Sequence, residues 1–229
     1  GDGIGERDYT YIGRYKCAAS TYYSQSGKYH QTTMTIGDAR TKIASLGDGY
    51  HQFDYAAFFD TLKGGVTGAE YIDIFDTLTL DDYYRTDSHW SQDKILPVAN
   101  RLSEKMGKEV PKIDYRTKEI EDFYGVYFGQ AAYMGIEPDT IKYLTYNALE
   151  NASVYGIPAD ELKSKFGAED TLSKEVYALE KLDGMDAYDI FLSGGQPLLT
   201  VELKEGNGKE LIIFRDSFSS SLAPLMLGA

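Results

Sequence analysis

The pattern of apolar and polar residues predicts three helices. In residues 54–63 apolar side chains recur at the i, i+3, i+4 and i+7 spacing of one helix face: Tyr55, Phe58, Phe59 and Leu62. A second helix is predicted over residues 92–106, with a kink or a late start at Pro97 because proline has no backbone N–H for a helix interior. A third is predicted near the end of the chain, where the serines at 219–221 are suited to cap its first turn.

Runs of β-branched and aromatic residues predict strands between these helices. The predicted strands are residues 70–75, 123–132, 188–192, 198–203 and 211–214. Residues 211–214 are apolar at every position, which is typical of a parallel strand that helices cover on both faces. This last run therefore favours a sheet that contains parallel pairing.

Length and composition indicate one globular domain. The chain has 229 residues, 42% of them hydrophobic, which is enough to build one substantial core. It contains no internal repeat, low-complexity tract or evident linker, so we expect a single domain over residues 1–229. The irregular middle, residues 112–182, is interpreted as a candidate insertion over the functional site.

Charge and hydropathy narrow the classes of partner. The net charge is −13, with 36 acidic against 23 basic residues, and no basic stripe is present to bind phosphates. A nucleic acid is therefore not expected as a partner, nor is an anionic membrane surface. No run of about 18 apolar residues is present, so no membrane span is expected. The single cysteine cannot form an intrachain disulfide, which fits a reducing compartment or an exported bacterial protein without disulfides.

Two short strings carry candidate chemistry. In residues 85–90, Asp87 precedes His89, one of only three histidines; in residues 211–218, Ser217 follows the apolar run. Acyl transfer needs a hydroxyl nucleophile, an imidazole that takes its proton, and an acid that orients the imidazole. The alternative is structural: the aspartate caps a turn, the serine caps a helix, and the adjacent tryptophan fills the core. Metal binding is not expected, because the other histidines show no ligand spacing.

The loop after the predicted strand 188–192 contains candidate oxyanion donors. Gly194 and Gly195 have backbone N–H groups that can approach a substrate closely, and Gln196 carries a side-chain amide. The Ser217 N–H, at a predicted helix start, is a second candidate donor. The alternative is that these residues form a simple turn between strands.

Residues 83–90 (YYRTDSHW) closely resemble the signature of the bacterial DHHW family, named for Asp-His-His-Trp. Residues 188–196 and 214–218 also resemble the closing segments of that family, and the resemblance extends over about residues 70–226. DHHW proteins are in turn similar to the alginate O-acetyltransferases of the SGNH-hydrolase-like superfamily, in which an Asp-Thr-His-Trp motif precedes the serine motif. Arg215 stands where many SGNH enzymes have a glycine, so we expect its bulky side chain to alter the oxyanion hole. By the resemblance, Arg215 and Trp90 are candidate oxyanion or substrate-binding residues.

The resemblance implies a three-layer α/β/α sandwich, SGNH-hydrolase-like, with a mostly parallel central sheet. It implies Ser217 as nucleophile, His89 as general base, Asp87 as the acid that orients the base, and no cofactor. The implied function is a secreted or cell-surface bacterial serine esterase or O-acetyltransferase, whose partner is an acylated polysaccharide, a cell-wall glycan or another acyl donor. The alternative is a non-catalytic surface protein with the same fold that binds glycan through its tyrosines. Because the chain stops 12 residues after Ser217, we also expect its C-terminal end to be truncated.

Overall fold

The computed structural model describes residues 17–23, 30–36, 54–110, 112–131, 135–156 and 175–229. Its strands, in chain order, are β1 (Cys17–Tyr23), β2 (His30–Ile36), β3 (Glu70–Tyr71), β4 (Arg116–Phe123), β5 (Asp139–Thr145), β6 (Ser153–Gly156), β7 (Leu199–Glu202) and β8 (Glu210–Phe214). Its α-helices are α1 (Tyr55–Gly65), α2 (Leu96–Lys105), α3 (Val126–Ala131), α4 (Asn147–Glu150) and α5 (Phe218–Met226). None of the helices in these ranges is long and apolar enough to cross a membrane.

The described strands form one four-stranded sheet of order β3-β2-β1-β8 and two two-stranded sheets, β4-β5 and β6-β7. Strand β1 pairs antiparallel with both β2 and β8, and both small sheets are antiparallel. A short parallel contact joins β2 to β3. The predicted three-layer α/β/α sandwich is therefore wrong, since the described residues contain no parallel central sheet.

The apolar run at residues 211–214 explains this error. It forms most of β8, which lies at the end of the strand order rather than in its centre. Two of its side chains remain accessible, with Ile212 41% and Phe214 52% exposed. A continuous apolar run therefore did not mean burial on both faces, and β8 pairs antiparallel with β1.

The three predicted helices are confirmed. Helix α1 begins after Asp54, whose carboxylate accepts a hydrogen bond from the Ala57 N–H at 2.9 Å. Residues Gln92–Lys94 form a 3₁₀ turn, and α2 starts only afterwards with Pro97 in its first turn, which is the late start that proline predicted. Helix α5 follows Ser217 directly.

The strand predictions are confirmed less often. The strand over residues 198–203 is present as β7, and β3 covers the start of 70–75. Two others are wrong. Of the predicted strand 123–132, the described residues 123–131 contain the end of β4 and helix α3. Residues Ala187–Ile190 form a 3₁₀ turn, and the Asp186 carboxylate caps it at the Tyr188 N–H. Both segments are rich in aromatic residues and partly buried. A 3₁₀ turn or a short helix can bury such residues as well as a strand can.

Two clusters of buried apolar residues form the core of the described C-terminal part. One packs α2 against α5 and includes Trp90 and Phe218. The other surrounds the 3₁₀ turn Ala187–Ile190 and includes Tyr84 and Tyr188. The segment that contains Asp87 and His89 runs from one cluster to the other, so packed residues support it at both ends.

Candidate active site

The loop that carries His89 closes on itself. Tyr83 and Trp90 form an antiparallel bridge, and the Tyr84 N–H donates to the carbonyl of His89 at 3.1 Å. This curl brings the Asp87 carboxylate against the imidazole that follows it two residues later. Asp87 Oδ1 lies 2.5 Å from His89 Nδ1 and also accepts the His89 backbone N–H at 2.9 Å.

The other imidazole nitrogen faces Ser217. His89 Nε2 lies 2.7 Å from Ser217 Oγ, across 128 positions of sequence. Ser217 is the residue before α5, yet its side chain makes no capping hydrogen bond. Asp216 caps the helix instead, because its Oδ1 accepts the Phe218 N–H at 3.0 Å. The serine hydroxyl is thus available to the imidazole, and the structural alternative of a helix cap does not describe it.

Charge and burial define the roles of these three groups. Asp87 and His89 are only 1% and 5% exposed, whereas Ser217 is exposed. Burial of Asp87 raises its pKa, but hydrogen bonds from His89, the charge of the imidazole and the Val126 N–H outweigh burial, so the net pKa is lowered. The ionised carboxylate only accepts hydrogen bonds, so the Nδ1 proton points to it and Nε2 is left to accept from Ser217.

The Asp87 side chain fits against a glycine. A Cβ atom added at Gly125 would lie 2.2 Å from Asp87 Cβ and 2.4 Å from Asp87 Oδ2, distances that no side chain tolerates. The next residue, Val126, donates its N–H to Asp87 Oδ2 at 2.9 Å. Helix α3 therefore begins by binding the second oxygen of this carboxylate, and only glycine at position 125 permits that approach.

A second aspartate holds the segment just before Asp87. Asp139 Oδ2 accepts both the N–H and the hydroxyl of Thr86, at 2.8 and 2.7 Å. The Thr86 hydroxyl oxygen in turn accepts the Gly125 N–H at 3.0 Å. The sequence did not point to Asp139, because its partner lies 53 residues away and no local pattern signals the contact.

The structure places Trp90 in the core rather than at the exposed side of the site. Its ring is 1% exposed and packs edge-on against Phe218, with centroids 5.0 Å apart. Its indole N–H donates to Ser221 Oγ at 2.9 Å. The indole therefore contacts α5 and the core, not the exposed side of the site where a substrate contact was predicted. Two further residues that sequence reasoning missed, Tyr188 and Ser221, complete this buried part of the site.

The glycine loop has left-handed backbone at three successive residues. The φ angles of Leu192, Ser193 and Gly194 are 53°, 56° and 71°, a conformation that costs a leucine or a serine free energy. Beyond them Gly195 is exposed, and its backbone N–H has no acceptor among the described residues. The Gln196 amide instead donates to the Ser193 carbonyl at 2.8 Å, so it is directed into the loop itself.

Arg215 joins this loop to the serine turn. Its Nη2 donates to the Gly194 carbonyl at 3.1 Å, and its Nη1 donates to Ser220 Oγ at 2.5 Å. Burial lowers the pKa of Arg215, although the nearby Asp216 opposes that effect. The guanidinium thus links the glycine loop to the first turn of α5.

Comparisons with known proteins support the fold. No protein-family model matches this chain, and no curated protein matches it either. Among solved structures, the chain is similar to a DHHW family protein from Eubacterium siraeum, with a TM-score of 0.59 and 21% sequence identity. The similar region covers 82% of this chain and 63% of that protein, so the chain spans less than two thirds of its length. The likeness is one of fold, and it agrees with the DHHW resemblance of residues 83–90.

Proposed function

We propose that this protein is a serine-dependent acyl-transfer enzyme, either an esterase or an O-acyltransferase, that works through an acyl-enzyme at Ser217. One observation carries the proposal. An exposed serine, a buried histidine and a buried aspartate form a continuous chain of hydrogen bonds of 2.7 and 2.5 Å. This is the arrangement that activates a hydroxyl as a nucleophile.

In the first half of the reaction, Ser217 Oγ attacks the carbonyl carbon of an ester while its proton moves to His89 Nε2. The Asp87 carboxylate, already hydrogen-bonded to Nδ1, stabilises the imidazolium that forms. Collapse of the tetrahedral intermediate breaks the ester C–O bond, and the leaving alkoxide takes the proton from Nε2. In the second half, His89 deprotonates a water or an acceptor hydroxyl, which attacks the acyl carbon. The bond from the acyl carbon to Ser217 Oγ then breaks, and Oγ takes the proton back from Nε2.

Backbone N–H groups supply the counter-charge for the intermediate. The N–H groups of Ser217 and Gly195 have no acceptor among the described residues, and Ser217 stands at the positive end of the nine-residue helix α5. Oriented donors of this kind stabilise a developing oxyanion by several kcal/mol in typical enzymes, about 3 kcal/mol each. The Gln196 amide, which donates to Ser193, is not needed in this scheme.

The substrate class is proposed from the resemblance of residues 83–90 and 214–218 to DHHW proteins. We propose that the substrate is an acylated glycan or a glycan that accepts the acyl group, and that the reaction takes place outside the cell or at its surface. A chain of net charge −13 favours a neutral or cationic glycan over a strongly anionic one. Acetyl release from a neutral acetylated polysaccharide, compared with an acetylated polyuronate, tests this preference.

The first prediction concerns the nucleophile and its base. With p-nitrophenyl acetate as a small ester, we expect Ser217→Ala and His89→Gln each to lower kcat/KM by at least about 1,000-fold, because each breaks the proton path. A fluorophosphonate should label the protein at Ser217, as located by peptide mass spectrometry, and the His89 variant should label far more slowly. Ser153→Ala, in strand β6, is the matched control and should retain full rate. Equal rates for the wild type and Ser217→Ala would favour the non-catalytic alternative.

A further inference from the structure

Tyr188 lies flat against the imidazole of His89. The two ring centroids are 3.8 Å apart and the planes differ by only 7°. Tyr188 is 3% exposed, so the face of its ring that covers His89 is closed to water. The stack fixes the plane of the imidazole, and with it the directions in which Nδ1 and Nε2 point.

The hydroxyl of the same tyrosine reaches the helix that carries the nucleophile. It donates to Ser221 Oγ at 2.7 Å, and Ser221 lies one helical turn after Ser217. Burial raises the pKa of Tyr188 well above its ordinary value, so the phenol remains a donor at any working pH. One side chain therefore contacts the base through its ring and the nucleophile's helix through its hydroxyl.

Ser221 also forms hydrogen bonds with residues that follow His89 in the sequence. Its Oγ accepts the indole N–H of Trp90, the residue after His89, at 2.9 Å, and it donates to the Phe218 carbonyl at 3.2 Å. Its carbonyl accepts the Gln92 amide at 2.7 Å. Ser221 is fully buried, so every bond that it loses leaves an unsatisfied polar group in the core.

From these contacts we propose that Tyr188 is a positioning residue that sets the alignment of His89 Nε2 with Ser217 Oγ. The ring orients the imidazole, and the hydroxyl, through Ser221, sets the distance of α5 from it. The aromatic face also attracts the imidazolium that forms as Ser217 loses its proton. The proposal rests on the acyl-transfer function proposed above, and it adds a residue that lies outside the hydrogen-bonded chain of three.

Three variants separate the two parts of this role. Tyr188→Leu removes both ring and hydroxyl, and we expect kcat to fall about 100-fold with KM within about twofold, because alignment matters in the transition state rather than in binding. Tyr188→Phe keeps the stack and should lose only about tenfold. Ser221→Ala removes the same bond and also the acceptor of the Trp90 indole N–H, so it should lose at least as much as Tyr188→Phe, and adding Tyr188→Phe to it should cost little more, since their shared bond is already absent.

A matched control is Tyr177→Phe. Tyr177 is also a buried tyrosine, and its hydroxyl donates to the Leu144 carbonyl at 2.5 Å, but its ring does not contact His89. Its substitution should lower the thermal midpoint as much as Tyr188→Phe does and leave kcat within about twofold. The proposal is overturned if Tyr188→Phe and Ser221→Ala have the same kcat as Tyr177→Phe when equal fractions of each protein are folded. This comparison holds even if Tyr188→Leu does not fold.

A second readout does not depend on catalysis. The stacked ring shifts the proton NMR signals of the His89 imidazole upfield, and assignment is direct because the chain has three histidines. We expect Tyr188→Phe to keep this shift and Tyr188→Leu to lose it. A protein inactive on esters that still shows the shift would contradict the proposed function but not the alignment. Unchanged imidazole signals in Tyr188→Leu would contradict the alignment itself.

Discussion

The two halves of the candidate site are built in opposite ways. The acid–base half, Asp87 and His89, is almost fully buried, while the nucleophile half ends in an exposed Ser217. Each polar atom of the buried pair has a partner, from the Val126 N–H to the serine hydroxyl. A base must hold one orientation away from competing water, whereas a nucleophile must meet a substrate, and the difference in burial matches these needs.

The supports of the two halves also differ in kind. The carboxylate half is held by direct contacts from the segment 123–126 and from Asp139, with Gly125 packed against Asp87. The serine half has its buried support at Ser221, which accepts the Tyr188 hydroxyl, and on its outer side it has only a guanidinium that spans from the Gly194 carbonyl to Ser220. Substitutions near the first half should therefore act by steric displacement and have large effects. Substitutions on the outer side of the second half should loosen the site and have smaller effects.

Among the residues that support the hydrogen-bonded three, the largest effect is expected at Gly125. Gly125→Ala places a methyl group inside the volume of the Asp87 side chain, at 2.2 Å from its Cβ, so the carboxylate has to move away from His89. A displacement of about 1 Å in such a site lowers rates by about 100-fold, and we expect at least that loss in kcat/KM for p-nitrophenyl acetate.

Gly129 offers the matched control for this substitution. It lies in α3, the short helix that begins one residue after Gly125, and an added Cβ there would meet no atom within 4 Å. Gly129→Ala should retain wild-type kinetics and raise helix stability slightly, by about 0.5–1 kcal/mol in unfolding free energy. Equal activity of the two alanine variants would show that the contact of Gly125 with Asp87 does not govern the base.

A smaller effect is expected at Arg215. Arg215→Met keeps the aliphatic stem but removes both the bond to the Gly194 carbonyl and the bond to Ser220. The strained loop then loses an external bond, and the Gly195 N–H loses its fixed position. We expect kcat/KM to fall about tenfold, less than the 100-fold or more typical for the loss of a whole oxyanion donor.

Arg116→Met is the control for removal of a surface guanidinium. Arg116 bonds Glu150 at 2.6 Å, with both side chains nearly half exposed, and such pairs contribute about 0–1 kcal/mol. Its activity should equal the wild type. A tenfold loss in this variant as well would mean that net charge, not the bridge to Gly194, causes the loss at Arg215.

Sequence alone located the three hydrogen-bonded residues but not the sheet. Asp87, His89 and Ser217 were found because each stands in a short string of chemically distinctive residues beside a helix start. Residues 211–214 gave the wrong strand direction, since an apolar run does not distinguish an edge strand from a central one. The start of α2 was predictable because proline acts on the backbone within one turn, whereas the serines at 219–221, predicted to cap the last helix, lie inside it.

The supporting residues were not predictable for a physical reason. Asp139, Tyr188 and Ser221 contact residues from 33 to 131 positions away, so their function depends on tertiary packing and leaves no local pattern. Tyr188 was placed in a strand because its aromatic neighbours fit one. Its actual 3₁₀ turn is what presents the ring to His89.

The smallest effect is expected in the pH dependence of stability. Because the pKa of Asp87 is lowered in the folded protein, its ionised form favours folding at every pH above the unfolded value, about 3.9 for an aspartate. That contribution is lost as pH falls below this value and through the lowered pKa. The urea unfolding free energies of wild type and Asp87→Asn should therefore differ most above pH 5 and converge toward pH 3.

This difference should be modest because burial, the largest single influence on Asp87, opposes ionisation and offsets much of what His89 and Val126 contribute. Burial thus disfavours the charge on Asp87, and the hydrogen bonds around the carboxylate stabilise that charge only slightly more than burial destabilises it. A difference between wild type and Asp87→Asn that stays constant from pH 6 to pH 3 would mean that the carboxylate gains nothing from the folded state. The two halves of the site would then differ only in burial, and not in the stabilisation of the Asp87 charge.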